Sequence, residues 1–432
     1  MLVNSETWPE GHPPREQEPL TRPRTVGARS RAALTLVGSL LVLSLVLSAC
    51  SSSSVGTSAG NPGTFSTSTQ AKLSGVLAQF LGTTHAPGVL VAIHSPEGNW
   101  VSGRGLSDLS TMKPLEPWMQ YKIGSQTKAF TATLILQLVG EGKLSLDDDI
   151  ARWVPSVPNG QQITIRQLLN HTSGLGDVFS VPAIQNKLLT GCTVTELLSA
   201  GATLAPVAAP GTKWAYSNYG YDLLGRVAEL VTGTDLSTLI RQRIAEPLGL
   251  QETYLPVSGN GLEAPYTRGY AAGATQAPTT EDDATPLPQS CLWAAGGMDS
   301  DMSDLTIWSR ALATGALVKP QVWKEAQADQ VPVSIPQLGR GSITWGLGFI
   351  ASGGFIGHQG GMPGYESISM YSPALHASVV LMANKQFNAI PPMALFHALA
   401  LTAFGQRVDF GVTISQALEP LDQAQLNHIP DE

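Results

Sequence analysis

Apolar positions recur along this chain in two different rhythms. From Gly88 to Ile93 they are continuous and rich in branched side chains, and after a short polar turn Trp100 to Leu106 resumes the run. Two such stretches across a turn predict a hairpin with a largely buried first strand. From Ser125 to about Leu250 the spacing becomes mainly helical, broken by loops at Pro155–Pro158 and from Pro206 to Gly211. Residues 256–290 are rich in Gly, Pro, Thr and Ala and read as a long surface excursion. Helical spacing returns from Ser303 to Ala313. Four short strands are then expected at Trp345–Ile350, Phe355–Gly360, Glu366–Tyr371 and Ala377–Ala383, and Met393 to Phe404 reads as a closing helix.

Strands thus open and close the chain, with helices between. The expected class is α/β (α+β): an antiparallel sheet flanked by helices, with a mainly helical subdomain inserted at about residues 110–310. If both ends share one sheet, a cleft lies where the insertion meets it, a common place for pockets. The folded unit is expected over residues 69–405, with a C-terminal tail at 406–432.

Composition narrows this picture. Of 432 residues, 43% are apolar and 13% charged, which suits a packed core rather than a disordered chain. A net charge of −8 gives nucleic-acid binding no electrostatic support. Arg22, Arg24, Arg29 and Arg31 precede an apolar run from Ala32 to Ala49, and Leu47-Ser48-Ala49-Cys50 then reads as a bacterial lipobox. Residues 1–49 are therefore expected to be a lipoprotein signal peptide, with Cys50 lipidated and the protein held outside the cytoplasm on the cell membrane. A membrane-spanning helix is the competing reading, since the run is close to the minimum spanning length. Small residues before the cysteine and the polar stretch after it favour cleavage. Residues 50–68, rich in Ser, Thr and Gly, read as a flexible tether. Gly56-Thr57-Ser58-Ala59-Gly60 within them matches a nucleophile-elbow pattern but lacks the strand and helix that pattern requires. Cys192 and Cys291 remain, either as a disulfide or as two buried thiols. No spacing suggests a metal site, and no cofactor is expected.

The chemistry concentrates at Ser125-Gln126-Thr127-Lys128. Residues i and i+3 of a helix share a face, so Lys128 can reach the Ser125 hydroxyl. A serine hydroxyl is protonated at neutral pH and needs a neighbouring base to become a nucleophile. Gly124 permits a tight turn into the helix, and Ala129, Phe130, Ala132, Leu134, Ile135 and Leu138 make that helix mostly apolar. A lysine in the first turn of a buried helix is costly without partners. Two more segments fit this pair: Tyr216-Ser217-Asn218, and His358-Gln359-Gly360 followed by Gly361.

Ser-x-x-Lys, then Tyr-x-Asn, then a basic residue-x-Gly is the motif order of serine β-lactamases and penicillin-binding proteins. The chain resembles the branch holding class C β-lactamases, D-Ala-D-Ala carboxypeptidases, and related esterases and D-aminopeptidases. Leu168–Leu175, Pro247–Leu250 and Ala294–Met298 match as well, so the likeness covers roughly residues 68 to 405. The resemblance implies Ser125 as nucleophile, with Lys128 and Tyr216 sharing proton transfer and a protonated His358 helping to stabilise a Tyr216 phenolate. It implies Asn218, His358, Gly360 and Gly361 as substrate-binding, with backbone N–H groups of Ser125 and Gly361 as oxyanion donors. Gly360 and Gly361 are expected to leave room for substrate to pair with the strand. His171 reads as structural, and Asp147-Asp148-Asp149 as a helix cap. The substrate is expected to be a small molecule or a peptidoglycan peptide. One departure matters: class C β-lactamases usually carry Lys-Thr-Gly where this chain has His-Gln-Gly. That places β-lactam hydrolysis behind carboxypeptidase or esterase chemistry. The alternative outside enzymes is a lipoprotein that binds cell-wall fragments without turnover.

Overall fold

A computed structural model describes residues 63–421 except 274–275, 335–338 and 387–389. Cys50, the expected leader 1–49, tether residues 51–62 and the end of the tail from 422 lie outside the described residues. No helix among the described residues is long and apolar enough to cross a membrane.

Strands β1 (Gly88–Ser95) and β2 (Gly98–Asp108) form the expected hairpin, followed by the short β3 (Lys113–Pro114) and β4 (Tyr121–Lys122). After the helical middle come β5 (Asp299–Ser300), β6 (Val331–Val333), β7 (Ile343–Trp345) and β8 (Ile350–Ser352). The last three are β9 (Phe355–Met362), β10 (Tyr365–Ser372) and β11 (Ala377–Ala383). Among the described residues, nine of these make one antiparallel sheet in the order β3-β2-β1-β11-β10-β9-β8-β7-β6. The two ends of the chain therefore meet in its centre, where Val91 of β1 lies opposite Leu381 of β11. The small β4–β5 pair sits apart, joining the residues just before Ser125 to those after Met298.

Both faces of the sheet are covered, which is why its central strands read as unbroken apolar runs rather than alternating ones. Leu90 and Ala92 of β1 and Val380 and Met382 of β11 enter a core shared with the helical insertion. Val89, Val91, Ile93, Val379 and Leu381 enter a second core on the opposite face. The lid of that second core is helix Pro392–Phe404 together with α1 (Thr67–Thr84). α1 corrects the tether boundary, since the folded chain begins several residues before 69. Ser66 caps the helix, Phe65 is buried, and Leu73, Val76, Leu77 and Phe80 form its inward face at helical spacing. The tail is corrected too. Val408, Phe410, Ala417 and Leu418 are buried in the same core, so residues to 421 belong to the fold.

A third correction concerns the strand expected at Trp345–Ile350. Trp345 and Ile350 instead pair with each other across a turn between β7 and β8, and Gly348 takes a positive φ of 89° there. Among the described residues of the 256–290 segment there is no long helix or strand, yet Tyr270, Thr285 and Gln289 are buried. Asp149 caps the turn Ile150–Arg152, as the aspartate run suggested. Cys192 and Cys291 form a disulfide with Cα atoms 4.7 Å apart, settling the choice between pair and free thiols.

Candidate active site

The nucleophile segment enters as a single 3-10 turn, Gly124–Gln126, which runs directly into α2 (Thr127–Gly140). Gly124 has φ 54°, and an added Cβ there would stand 2.6 Å from the Gly361 carbonyl oxygen. Only glycine both takes that conformation and lets β9 approach so closely. Gln126 fixes the turn from beneath. Its Nε2 donates to Ser367 Oγ at 2.6 Å, its Oε1 accepts from Ser369, and Ser367 Oγ donates to the Ile123 carbonyl at 3.0 Å. Thr127 Oγ1 donates to the Gly124 carbonyl at 2.8 Å and accepts from Met298 N at 3.1 Å. The turn is thereby pinned to β10 on one side and to the 294–298 segment on the other.

Ser125 Oγ is half-buried and receives two donors. Lys128 Nζ donates to it at 3.1 Å and Tyr216 Oη at 2.8 Å. Lys128 is fully buried, and its Nζ also donates to Asn218 Oδ1 at 2.6 Å and to the Ala295 carbonyl at 2.7 Å. Three oxygens around one amine match the three donors of an ammonium. The Nζ also lies 4.6 Å from the Tyr216 ring centroid and 5.6 Å from that of Tyr221. Ser125 and Lys128, Tyr216 and Asn218, and the Ala295 carbonyl therefore converge from three separate stretches of chain.

The Tyr216-Ser217-Asn218 segment opens helix Asn218–Thr232, with Ser217 as its cap. A strap from residues 171–177 holds it. His171 Nδ1 accepts from Ser217 N at 3.2 Å, and Ser217 Oγ donates to the Gly176 carbonyl at 2.9 Å. The His171 ring lies 4.6 Å from that of Tyr216 and 4.7 Å from that of Trp345. Burial keeps His171 neutral, well below the usual imidazole range. Its structural reading is refined: its ring packs at a tilt against the phenol. Asp177 accepts from Asn218 N at 3.2 Å and from Asn218 Nδ2 at 2.9 Å. Sequence reasoning passed over Asp177 and the Ala295 carbonyl. A two-position offset from the Leu168–Leu175 match was a signal for the first, and the Ala294–Met298 match for the second.

His358 departs from expectation. It is 1% exposed, its Nδ1 contacts the Gln359 carbonyl, and its ring stands edge-on to Trp345 at 5.1 Å. Burial pushes its pKa down to about 3, so it is neutral at physiological pH and supplies no second cation for a phenolate. Gly360 also departs. A Cβ built there would lie 2.0 Å from the Ile123 carbonyl oxygen and 2.8 Å from Ser125 N. Its missing side chain makes room for the nucleophile's own turn, not for substrate. At Gly361 the nearest atom to such a Cβ is the Glu366 carboxylate, 3.0 Å away.

This arrangement has counterparts. The penicillin-binding protein 4* of Bacillus subtilis is 27% identical over 77% of this chain and 76% of its own length. The esterase EstB of Burkholderia gladioli is 27% identical over 74% of this chain and 91% of its own. Among solved structures, the D-amino acid amidase of Ochrobactrum anthropi SV3 superposes with a TM-score of 0.66 at 28% identity, covering 76% of this chain and 96% of that one. Residues 73–403 match the family described as Beta-lactamase, and the chain belongs to it as a serine hydrolase of the β-lactamase and penicillin-binding-protein superfamily.

Proposed function

We propose that the protein cleaves esters or D-amino-acid amides through an acyl-enzyme on Ser125. The observation that carries this reading is the contact of one hydroxyl, Ser125 Oγ, with both Lys128 Nζ and Tyr216 Oη. Once the Lys128–Tyr216 pair has given up one proton to solvent, it takes the Ser125 proton as Oγ attacks the carbonyl carbon. Tyr216 returns a proton to the leaving oxygen or nitrogen, and water then releases the acyl group. Backbone N–H groups of Ser125 and Gly361 receive the developing oxyanion in this scheme. One such donor is worth about 10²–10³ in rate. Lipid anchoring at Cys50 would hold this domain outside the cytoplasm.

The choice among substrates rests on the strand motif. A Lys-Thr-Gly strand presents a cation and a hydroxyl, whereas here a neutral, buried imidazole and a glutamine stand in their place. A substrate's free carboxylate gains no charge from this strand. Esters and amides that lack that carboxylate suit it better than D-Ala-D-Ala peptides, and the names of two relatives, esterase and D-amino acid amidase, point the same way. The test is a panel of p-nitrophenyl esters, D-phenylalanine amide, a D-Ala-D-Ala peptide and nitrocefin. The expected kcat/KM on the best ester or amide exceeds that on the peptide by about 10–100-fold, the worth of a hydrogen bond to a charged group. Fastest turnover on the D-Ala-D-Ala peptide would reverse the assignment, and fastest turnover of nitrocefin would make the protein a β-lactamase.

Tyr216→Phe tests the proton path. The ring's packing on His171 and Trp345 survives this change, so thermal stability should hold. Acylation should fall by about 10²–10⁴-fold, the usual worth of a positioned general acid–base group. Acylation at the wild-type rate would remove the phenol from the mechanism.

A further inference from the structure

Two carboxyl groups lie close to Lys128, Asp177 partly buried and Asp222 fully buried, and their partners differ. Asp177 accepts on both oxygens: Phe179 N at 3.0 Å on Oδ1, and Asn218 N at 3.2 Å and Nδ2 at 2.9 Å on Oδ2. Three N–H donors aimed at the two oxygens stabilise the ionised form, and the ionised form is the one this cage favours. Asp222, one helical turn after Asn218, is fully buried and neither of its oxygens has a hydrogen-bond partner among the described residues. An ionised carboxylate in that position would be very costly, so Asp222 stays protonated. Burial lifts both carboxyls above the usual carboxylate range, Asp222 well above it; at Asp177 the N–H donors of Phe179 and Asn218 and the charge of Lys128 oppose that lift.

Asn218 stands between the two ions. Its Nδ2 donates to Asp177 and its Oδ1 accepts from Lys128 Nζ, so the amide has one orientation only. We infer that Asp177 is the counter-ion of Lys128, acting through the Asn218 amide, and that it sets the pH at which Ser125 becomes acylated. Asp177 is a positioning residue: it acts on Lys128 through Asn218. Of the other groups near the lysine, His171, His358 and Asp222 are neutral, and Tyr216 and Tyr221 present their rings to it. One carboxylate thus balances one ammonium.

The inference rests on the proposed acylation of Ser125, and the test separates the two. Acylation by a fluorophosphonate is followed against pH in the wild type, Asp177→Asn, Asp177→Glu and Asp222→Asn, with Ser125→Ala as the control for the nucleophile. Without the carboxylate, the Lys128 ammonium releases its proton more readily. The acid limb of the Asp177→Asn profile should therefore move to lower pH by about one unit, a minimal shift for an opposite charge within ~6 Å. Asp177→Glu should restore most of the wild-type midpoint, and Asp222→Asn should keep it. A residue that merely shaped the loop would lower the rate at every pH and leave the midpoint in place, and that result would overturn the inference. A wild type that takes up no label would instead sink the proposed function. Should Asp177→Asn fail to fold, an atomic-resolution crystal structure of the wild type at neutral pH decides the matter. Equal C–O bond lengths at Asp177 and unequal ones at Asp222 are expected, and unequal lengths at Asp177 would refute the assignment.

Discussion

Ser125→Ala is expected to lower turnover of every substrate by roughly 10⁴–10⁶-fold, the scale on which a lost nucleophile is felt. The substitution removes one oxygen that accepts from both Lys128 Nζ and Tyr216 Oη. Lys128 keeps the Asn218 and Ala295 oxygens, so its charge remains solvated by protein and the fold should persist. The turn itself is held by Gln126 and Thr127 rather than by Ser125. A melting temperature within a few degrees of wild type, together with complete loss of fluorophosphonate adduct by intact-mass measurement, is the predicted pair of results. An adduct that persists in Ser125→Ala would mean that another side chain is the nucleophile. Loss of the adduct with loss of folding would instead contradict the view that Gln126 and Thr127 hold the turn.

The pieces of the site differed in how far the sequence exposed them. Ser125 and Lys128 were legible because their relation is local: three positions on one helical face put amine and hydroxyl together whatever the rest of the chain does. Tyr216 and Asn218 were legible only through motif order, since nothing in their own neighbourhood says which distant helix they meet. Asp177 was missed because its role exists only after the 171–177 strap folds over Asn218. The Ala295 carbonyl was missed because a main-chain acceptor leaves no mark on side-chain identity. His358 was found in position but not in charge state. A histidine code letter gives no burial, and burial alone makes this imidazole neutral.

The fold shows the same division. Central strands β1 and β11 were readable from their apolar runs. The β7–β8 turn was hidden inside another apolar run, where Gly346 and Gly348 were the overlooked turn signals. α1 begins in a segment dominated by Ser and Thr, so composition suggested a tether. Its periodic Leu73, Val76, Leu77 and Phe80 were the better guide. The tail's Val408 and Phe410 are too few to show periodicity, and only the open face of the sheet explains why they are buried.

Gly360→Ala is expected to damage both stability and chemistry, and the ratio of the two effects is informative. The sequence suggested that Gly360 leaves space for a substrate strand. In the structure that space is filled by the turn carrying the nucleophile: a Cβ would meet the Ile123 carbonyl oxygen at 2.0 Å and the Gln126 and Ser125 nitrogens at 2.8 Å. These are backbone atoms in a turn already fixed to β10 through Ser367, so neither side can yield by a rotamer change. Overpacking of this kind costs about 1–3 kcal/mol. The larger consequence is positional. Pushing the turn away from β9 moves Ser125 N relative to Gly361 N and Oγ relative to Tyr216, and a displacement of about 1 Å can cost about 10²-fold in rate. Gly361→Ala is the matched comparison, because the nearest atoms to its Cβ would be the end of the Glu366 side chain, from 3.0 Å, rather than backbone. It should lower the melting temperature less than Gly360→Ala and retain most of the acylation rate. Equal damage from both alanines would trace the effect to loss of glycine in β9 generally. A Gly360→Ala protein with wild-type melting and wild-type acylation would show that β9 and the nucleophile's turn are not in contact in solution, and the proposed oxyanion geometry would fall with that contact.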